Sequence, residues 1–320
     1  MNDVPIRSSG NHHMLKRGPS KQRITEAEAL DIQYHQSTED SLDRMKNAGF
    51  VVFKNLLNAD EVSQLRQLSD ETGGDDEAHY RQGHYGKTES DPDFRTYNKH
   101  ISQPFSQHKD FLKIVSRQPA INVIEGIHGY GARLIGGSIW ITGAGRYPMG
   151  LHIDYLPFAL PEDIASDPRV EIPIMISTLH YYLDDLYMDL GPTLVVESSH
   201  KSGRVPDEDT SWNGKPCKAL VCKAGDAMLF RSDLWHGALP NVSNEKRYML
   251  QVHYASPYID RGFISPFRNR PFPSDILDVC DDHQRRLLGE RQEGYPVPQG
   301  SYVLKEGLQQ FKEDTQWHQK

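Results

Sequence analysis

The feature that most constrains the fold is a series of short apolar segments that begins near residue 131 and ends near residue 256. The segments are rich in β-branched and aromatic residues, and turn residues such as KAGD at 223–226 separate them. They read ARLIGGSIWIT, GLHIDYLPF, EIPIMISTLHYYL, GPTLVVE, KALVCKAGDAMLF and RYMLQVHYAS. About five or six strands at this spacing, with few helices between them, predict an antiparallel sandwich or barrel.

The chain on either side of these segments predicts helices and irregular structure. Residues 1–38 are polar and lack periodicity, which predicts a flexible or loosely docked arm. Two capped helices, over STEDSLDRMKNAG and NADEVSQLRQLSDETGG, flank a strand over GFVVFKNLL. Residues 73–105 lack a clear pattern and predict a long loop of the kind that often covers a site. We therefore expect one domain over residues 39–260, with residues 261–320 as a C-terminal extension packed on it.

Charge and cysteine content argue against several classes of protein. The net charge is −8 and the acidic and basic residues are interspersed, which argues against a nucleic-acid-binding surface. The three cysteines, Cys217, Cys222 and Cys280, lack the pairing of a disulfide framework or a cysteine zinc site. The N-terminus lacks the apolar core of a secretory signal, and no run approaches the roughly 18 apolar residues of a spanning helix. We expect a cytoplasmic protein with no nucleic-acid partner and no membrane partner.

One apolar segment carries two side chains that are costly to bury. In GLHIDYLPF, His152 and Asp154 lie two positions apart, and side chains at i and i+2 of a strand share a face. An imidazole and a carboxylate that project into one space suit a metal ion. The same spacing recurs at His108 and Asp110, but apolar residues there follow helical spacing, and on a helix i and i+2 diverge by about 200°. His152 and Asp154 are therefore the better candidates, and they need a third ligand.

The third ligand should come from a strand that is distant in sequence. His236 stands at the end of an apolar run and just before a turn, where a side chain can point into the mouth of a barrel. Eleven residues later, Arg247 opens the last predicted strand. Of the histidines after Asp154, only His236 has an arginine at that offset.

Three stretches resemble, in order, the motifs of a known enzyme family. HIDYLPF, GPTLVVESSHKSG and KAGDAMLFRSDLWHGALPNVSNEKRYMLQVHY look like successive motifs of the phytanoyl-CoA dioxygenase family of iron(II)- and 2-oxoglutarate-dependent oxygenases. The earlier NAGFVVFKNLLNADEVSQLRQL is similar to that family's N-terminal strand and helix. Together the matches span roughly residues 40 to 258. Because the motifs occur in the family's order, the set of motifs is specific for this family.

The resemblance implies a fold and a site. It implies a mainly β protein with flanking helices around a double-stranded β-helix core of the jelly-roll or cupin type. His152, Asp154 and His236 would bind iron(II), which leaves positions for 2-oxoglutarate and dioxygen. Arg247 would hold the distal carboxylate of 2-oxoglutarate, because a guanidinium matches a carboxylate with two donors. His180 aligns roughly with a family position beside 2-oxoglutarate, although a packed core histidine remains an alternative.

The resemblance also implies a reaction class. Halogenating relatives carry a small residue in place of the carboxylate, so Asp154 favours hydroxylation or another oxidation, with conversion of 2-oxoglutarate to succinate and CO2. No lysine cluster suggests a coenzyme A site, so the expected substrate is a small metabolite or natural-product intermediate. Period-two alternation on the last strand adds Gln251 and His253 as polar contacts. Ala238 stands where the family often has serine, so another cosubstrate donor must come from elsewhere.

Two other classes of protein remain open. A divalent-metal hydrolase could use the same His, Asp and His, although it would have no need of Arg247. An inactive barrel could keep the fold and bind a ligand or a partner. The presence of all four residues argues against the inactive barrel. The oligomeric state is not predicted.

Overall fold

The computed structural model describes residues 23–156, 159–259 and 272–290. Its strands are β1 (Glu28–Ala29), β2 (Phe50–Phe53), β3 (Tyr80–Gln82), β4 (Arg95–Ser102), β5 (Arg133–Thr142), β6 (Met149–His152), β7 (Ile176–Tyr182), β8 (Thr193–Val195), β9 (Ser211–Trp212), β10 (Lys215–Pro216), β11 (Lys218–Ala219), β12 (Ala227–Arg231), β13 (His236–Ala238) and β14 (Arg247–Ala255). Its α-helices are α1 (Thr38–Asn47), α2 (Ala59–Glu71), α3 (Ala120–His128), α4 (Glu162–Ala165), α5 (Ser274–Leu277) and α6 (Asp282–Leu287). Short 3-10 helices cover Asp76–His79, Pro104–Ser106, Lys109–Ile114, Met188–Leu190 and Ser199–Ser202.

Two sheets contain most of these strands. A seven-stranded sheet has the order β2-β12-β7-β14-β5-β4-β3, and a five-stranded sheet has the order β1-β11-β8-β13-β6. Most neighbouring strands are antiparallel, and β1 with β11 is a parallel pair. Residues of both sheets line one cavity, so the sheets enclose it between them. The mainly β architecture with flanking helices confirms the predicted fold class.

The two long N-terminal helices begin where their capping residues predict. The Ser37 side chain accepts a hydrogen bond from the Asp40 backbone N–H at 3.1 Å and caps α1. Asn58 and Glu61 form a reciprocal capping box at the start of α2. Such caps satisfy backbone N–H groups that have no partner within the helix and typically contribute about 1 kcal/mol each.

The seven-stranded sheet is buried on both faces along β7, and its side chains divide by alternation. Leu179 and Tyr181 belong to an apolar cluster that includes residues of α1, α2 and α3. Fully burying such a side chain contributes roughly 1.5–3 kcal/mol. Thr178, His180 and Tyr182 point to the opposite face, toward the five-stranded sheet. The helices therefore cover one face of the sheet and leave the other face to form the cavity.

The prediction of a long loop over residues 73–105 was wrong for β3 and β4. The strand β4 is eight residues long and pairs with β5. It escaped recognition because polar residues occupy both of its faces, including the fully buried Lys99, which donates from Nζ to the backbone carbonyl of Asp70 at 2.7 Å. A buried lysine is rare unless such a partner satisfies it.

The described parts of the two termini pack on the sheets. In the predicted N-terminal arm, β1 pairs with β11, and Ile24 is buried in an apolar cluster with Leu194. Beyond the last strand, α5 and α6 contribute Ile276 and Leu287 to the large cluster. Residues 1–22, 260–271 and 291–320 lie outside the described residues, so the arm and the extension remain predictions there. None of the helices within the described ranges has the length and apolarity to cross a membrane.

Candidate metal and cosubstrate site

His152, Asp154 and His236 surround one point at the edge of the cavity. Nε2 of His152 lies 3.9 Å from Oδ1 of Asp154, and Nε2 of His236 lies 3.6 Å from the same oxygen. One ligand atom from each residue lies within 4.8 Å of the other two. His152 ends β6 and stands opposite His236, which begins β13. The structure thus brings together the three residues that the sequence put forward as metal ligands.

Backbone carbonyls orient both imidazoles in the same way. Nδ1 of His152 lies 3.0 Å from the carbonyl oxygen of Gly150, and Nδ1 of His236 lies 2.9 Å from that of Leu234. A carbonyl can only accept, so each Nδ1 carries the proton and donates it. In the neutral form of either ring, Nε2 carries the free lone pair, and this is the atom that lies near Asp154. This is the tautomer that a metal-binding histidine needs.

The charges at this point also suit a divalent cation. Burial lowers the pKa of His236 to about 4, so its imidazole is neutral near pH 7. Burial raises the pKa of Asp154, but the neighbouring imidazoles, first of all His236, lower it by more, and the net shift is downward. Two neutral imidazoles and one carboxylate are the donor set that the ferrous ion binds in non-haem oxygenases.

Thr178 supports the carboxylate and was not predicted from the sequence. Its Oγ1 lies 3.4 Å from Oδ2 of Asp154 and 3.0 Å from Nδ1 of His253. Period-two alternation along β7 places Thr178 on the same face as His180, and this signal could have identified it. Hydrogen bonds of this kind fix the orientation of metal-binding carboxylates.

Arg247 is a buried cation with no acidic partner among the described residues. It begins β14, and one Nη donates to the carbonyl oxygen of Gly191. Its Nε is buried and has no hydrogen-bond partner among the described residues. Burial lowers the pKa of Arg247 to about 10, which still leaves it charged near pH 7. An uncompensated buried charge is costly, so this guanidinium fits an anion that enters from the cavity.

His180 also has buried polar atoms that form no hydrogen bond among the described residues. It is buried, and neither ring nitrogen has a hydrogen-bond partner among the described residues. Burial lowers the pKa of His180 well below its usual value, so it is a neutral donor and acceptor. Its ring packs edge-on against Tyr182 and Phe230 in the cavity wall. Leaving a buried polar group unpaired costs about 1–3 kcal/mol, which a bound ligand would relieve.

The three candidate metal ligands, Arg247 and His180 line one cavity of about 550 Å³. That volume lies within the usual range of small-molecule sites. Gln251 and His253 also line it, as the alternation of β14 predicts. The cavity wall is formed by His100, Ser102, Ser138, Trp140, Thr142, Arg146, Tyr147, Met149, His152, Asp154, His180, Gly191, Thr193, His236, Gly237, Ala238, Leu239, Asn241, Arg247, Met249, Gln251 and His253.

The second His-x-Asp motif is a helix cap. His108 precedes the 3-10 helix Lys109–Ile114, and its Nδ1 accepts from the Asp110 backbone N–H at 3.2 Å. Neither residue lines the cavity. The His-x-Asp spacing alone therefore does not identify a metal site. The helical pattern of apolar residues in that segment already indicated that His108 and Asp110 do not share an ion.

A family model matches the middle of the chain, and two curated proteins match about a third of it. The model described as phytanoyl-CoA dioxygenase (PhyH) matches residues 140–249, the range that holds the three candidate metal ligands, His180 and Arg247. An uncharacterised protein of Mycobacterium tuberculosis and one of Mycobacterium bovis are each 26% identical to this chain over 108 residues. That match covers 32% of this chain and 39% of each relative, so the chain spans about two fifths of the relatives' length.

Several solved structures share the fold. The non-haem α-ketoglutarate-dependent epimerase SnoN from nogalamycin biosynthesis is similar with a TM-score of 0.53 and 17% identity, over 74% of this chain and 92% of its own. HygX from Streptomyces hygroscopicus, with nickel, 2-oxoglutarate and hygromycin B bound, has a TM-score of 0.53 and 14% identity, over 70% of this chain and 89% of its own. The fold is therefore that of the double-stranded β-helix oxygenases, and the family match over residues 140–249 confirms the resemblance to the phytanoyl-CoA dioxygenase family that the motifs indicate.

Proposed function

We propose that this protein is an iron(II)- and 2-oxoglutarate-dependent dioxygenase that hydroxylates, or otherwise oxidises, a small-molecule metabolite or natural-product intermediate. The reaction converts 2-oxoglutarate to succinate and CO2. The observation that carries the proposal is the pairing of two features in one cavity. One is a His, Asp and His cluster of metal-binding geometry, and the other is a buried guanidinium that has no acidic partner in the part of the chain that the structure describes.

Each residue has a distinct role in this proposal. His152, Asp154 and His236 hold iron(II), and hydrogen bonds to the carbonyls of Gly150 and Leu234 fix the orientation of the two imidazoles. When iron(II), 2-oxoglutarate and dioxygen are bound together, they supply the oxidant for an unactivated C–H bond. The protein contributes binding, orientation and a protected cavity.

The cosubstrate contacts the metal at one end, and residues other than the metal ligands hold its other end. Arg247 binds its distal carboxylate through two donors, and His180 offers a neutral ring nitrogen beside it. Ala238 lacks a hydroxyl, and Thr193 supplies one instead. The Tyr182 hydroxyl donates to Thr193 Oγ1 at 3.1 Å, which leaves the Thr193 proton free to donate into the cavity.

Two observations favour this function over a divalent-metal hydrolase. Such a hydrolase would need a general base beside the metal, and Asp154 is the only acidic residue among the described residues that line the cavity. It would also leave the buried charge of Arg247 unexplained. The completeness of the metal cluster argues against an inactive barrel.

The proposal is tested by anaerobic spectroscopy. Iron(II) and 2-oxoglutarate, added together to the protein without oxygen, should produce a visible metal-to-ligand charge-transfer band. Either component alone should produce none, and His236→Ala should abolish the band. A well-folded, iron-loaded wild-type protein that shows no band with 2-oxoglutarate would contradict the proposal.

A further inference from the structure

Arg146 is a second guanidinium in the wall of the same cavity. It lies in the connection between β5 and β6 and is half-buried. One Nη donates to the carbonyl oxygen of Tyr147 at 2.6 Å, while its Nε is buried and has no hydrogen-bond partner among the described residues. Burial lowers its pKa from the usual value. The proposed metal and cosubstrate sites assign no ligand to this cation, whose positive charge is near enough to Arg247 to contribute to the lowered pKa of that residue.

The backbone holds Arg146 in place. Its carbonyl oxygen accepts from the Asn241 backbone N–H at 3.0 Å, and the Gly145 N–H donates to the Asn241 carbonyl oxygen at 2.8 Å. Gly145 has a φ of +73°, and a Cβ there would come within 2.2 Å of the His84 ring. This glycine therefore permits a close approach that a larger residue would prevent. Arg146 is a fixed part of the wall rather than a free surface arginine.

The charges in the filled site do not balance without another anion. In the proposed function, the two positive charges of iron(II) and the one of Arg247 are matched by Asp154 and the two carboxylates of 2-oxoglutarate. Arg146 then adds one positive charge in excess. No other acidic side chain among the described residues lines the cavity. Burial lowers the pKa of His180 and His253, so these imidazoles add no charge near pH 7.

We propose that Arg146 binds an acidic substituent, a carboxylate or a phosphate, of the substrate that this enzyme oxidises. The inference rests on the proposed function, because the charge balance assumes bound iron(II) and 2-oxoglutarate. The substrate is then an organic anion. A polycationic substrate would need carboxylates in the cavity wall, and the described wall offers only the metal ligand Asp154.

A flat aromatic surface lies in the same wall. The His100 and Trp140 rings stack with centroids 3.8 Å apart and an interplanar angle of 21°. The Trp140 indole N–H donates to Gln251 Oε1 at 3.1 Å, which fixes the ring. This surface offers an apolar contact for the body of the substrate while Arg146 holds its acidic group.

A carboxylate of 2-oxoglutarate is the other possible source of the anion, because Ala238 lacks the expected hydroxyl. The charge balance favours the substrate, since both cosubstrate carboxylates already have cationic partners. Two sets of measurements separate the sources: the affinity for 2-oxoglutarate, and the affinity for a probe acid when 2-oxoglutarate is saturating.

The experiment uses anaerobic wild-type protein loaded with iron(II) and saturated with 2-oxoglutarate. Calorimetry measures the binding of phenylacetate and indole-3-acetate, each paired with its neutral amide, and of phenyl phosphate. We expect at least one of these anions to bind at least about tenfold more tightly than the neutral probes, because a guanidinium pair in an enclosed site is strong. Arg146→Gln should abolish that preference and leave amide binding, iron content and thermal melting unchanged. Arg169→Gln, which removes an exposed guanidinium paired with Asp167, should change none of these values.

The outcomes separate the inference from the proposed function. A wild-type protein that fails to bind 2-oxoglutarate contradicts both. Normal 2-oxoglutarate binding with no preference for any probe anion contradicts the inference alone. A preference that survives in Arg146→Gln places the anion on another residue and overturns the role of Arg146. If Arg146→Gln weakens 2-oxoglutarate binding more than about threefold, the cosubstrate is the source of the anion and the substrate assignment is wrong.

Discussion

His236 lies directly opposite His152 on neighbouring antiparallel strands, and their ring centroids are 4.3 Å apart. Opposite residues of such a pair have Cβ atoms about 4.5–5.5 Å apart, so strand register alone brings these distant histidines together. Asp154 follows His152 by two positions and reaches the same space. A site built on strand register is formed before any ligand binds, and single changes in it should affect binding more than folding.

Replacing His236 by Ala should remove iron binding and turnover together. Two protein donors remain, so we expect the iron(II) affinity to fall by more than about 100-fold, beyond the effect of losing a supporting residue. Metal analysis and succinate production measure the change. His108→Ala, in the second His-x-Asp motif, is the matched control and should behave as wild type. An unchanged iron content in His236→Ala would remove this residue from the site.

Replacing Asp154 by Gly should abolish hydroxylation, because it removes the only charged ligand and opens a position on the metal. The measurement is substrate oxidation together with 2-oxoglutarate consumption. Asp110→Gly changes the equivalent residue of the control motif and should keep full activity. If Asp154→Gly retains full activity, the carboxylate ligand lies elsewhere.

Replacing Arg247 by Ala should weaken 2-oxoglutarate binding and leave iron binding intact. Removing one side of a buried charged pair costs about 2–5 kcal/mol, or roughly 30-fold to several-thousand-fold in affinity. A 2-oxoglutarate titration at saturating iron(II), with a separate metal assay, measures both values. Arg169→Ala serves as the control for loss of an exposed arginine. A shift of less than about threefold would favour the hydrolase.

Replacing Thr178 by Val should reduce metal affinity by up to about tenfold, because the Asp154 carboxylate loses a supporting hydrogen bond while the side-chain volume is kept. Thr178→Ser retains the hydroxyl and should bind metal as wild type does. Iron(II) titration of the three proteins measures the difference. Equal affinities in all three would show that Thr178 does not support the carboxylate.

The metal-free protein should lose stability as the pH falls, in part through His128. Burial lowers the pKa of His128 from its usual value of 6.5 to about 3, and its ring nitrogens lie 3.1 and 2.8 Å from the Ser256 and Ser177 hydroxyls. Below pH 6.5 the unfolded chain binds a proton that the folded protein does not, so the unfolding free energy decreases as the pH falls toward 3.

The slope should approach about 1.4 kcal/mol per pH unit for this one proton. Urea unfolding of wild type and His128→Gln at several pH values measures it. The variant should be less stable near pH 7, where it loses a packed ring, and should show a shallower dependence between pH 6.5 and 4. Parallel pH profiles of the two proteins would contradict the assignment.

Much of the fold could be predicted from local sequence. The apolar segments between turns indicate the strands, and Ser37 and Asn58 mark helix starts that the structure confirms. The i, i+2 spacing singles out His152 and Asp154, although β6 ends at His152 and Asp154 lies just beyond it. The offset between His236 and Arg247 singles out the histidine that the structure brings to them. These features depend on spacing within one element or on the order of motifs, and the sequence contains both.

Other features depended on the tertiary structure. The strand β4 was missed because its buried Lys99 is satisfied by the Asp70 carbonyl of another element. Thr178 meets Asp154 only through the packing of the two sheets, and Arg146 reaches the cavity only because Asn241 anchors its loop. Local periodicity sets the face on which a side chain stands. Strand register and the close approach of the connecting loops decide which distant group that side chain meets. They also decide which cation is left without a partner among the described residues.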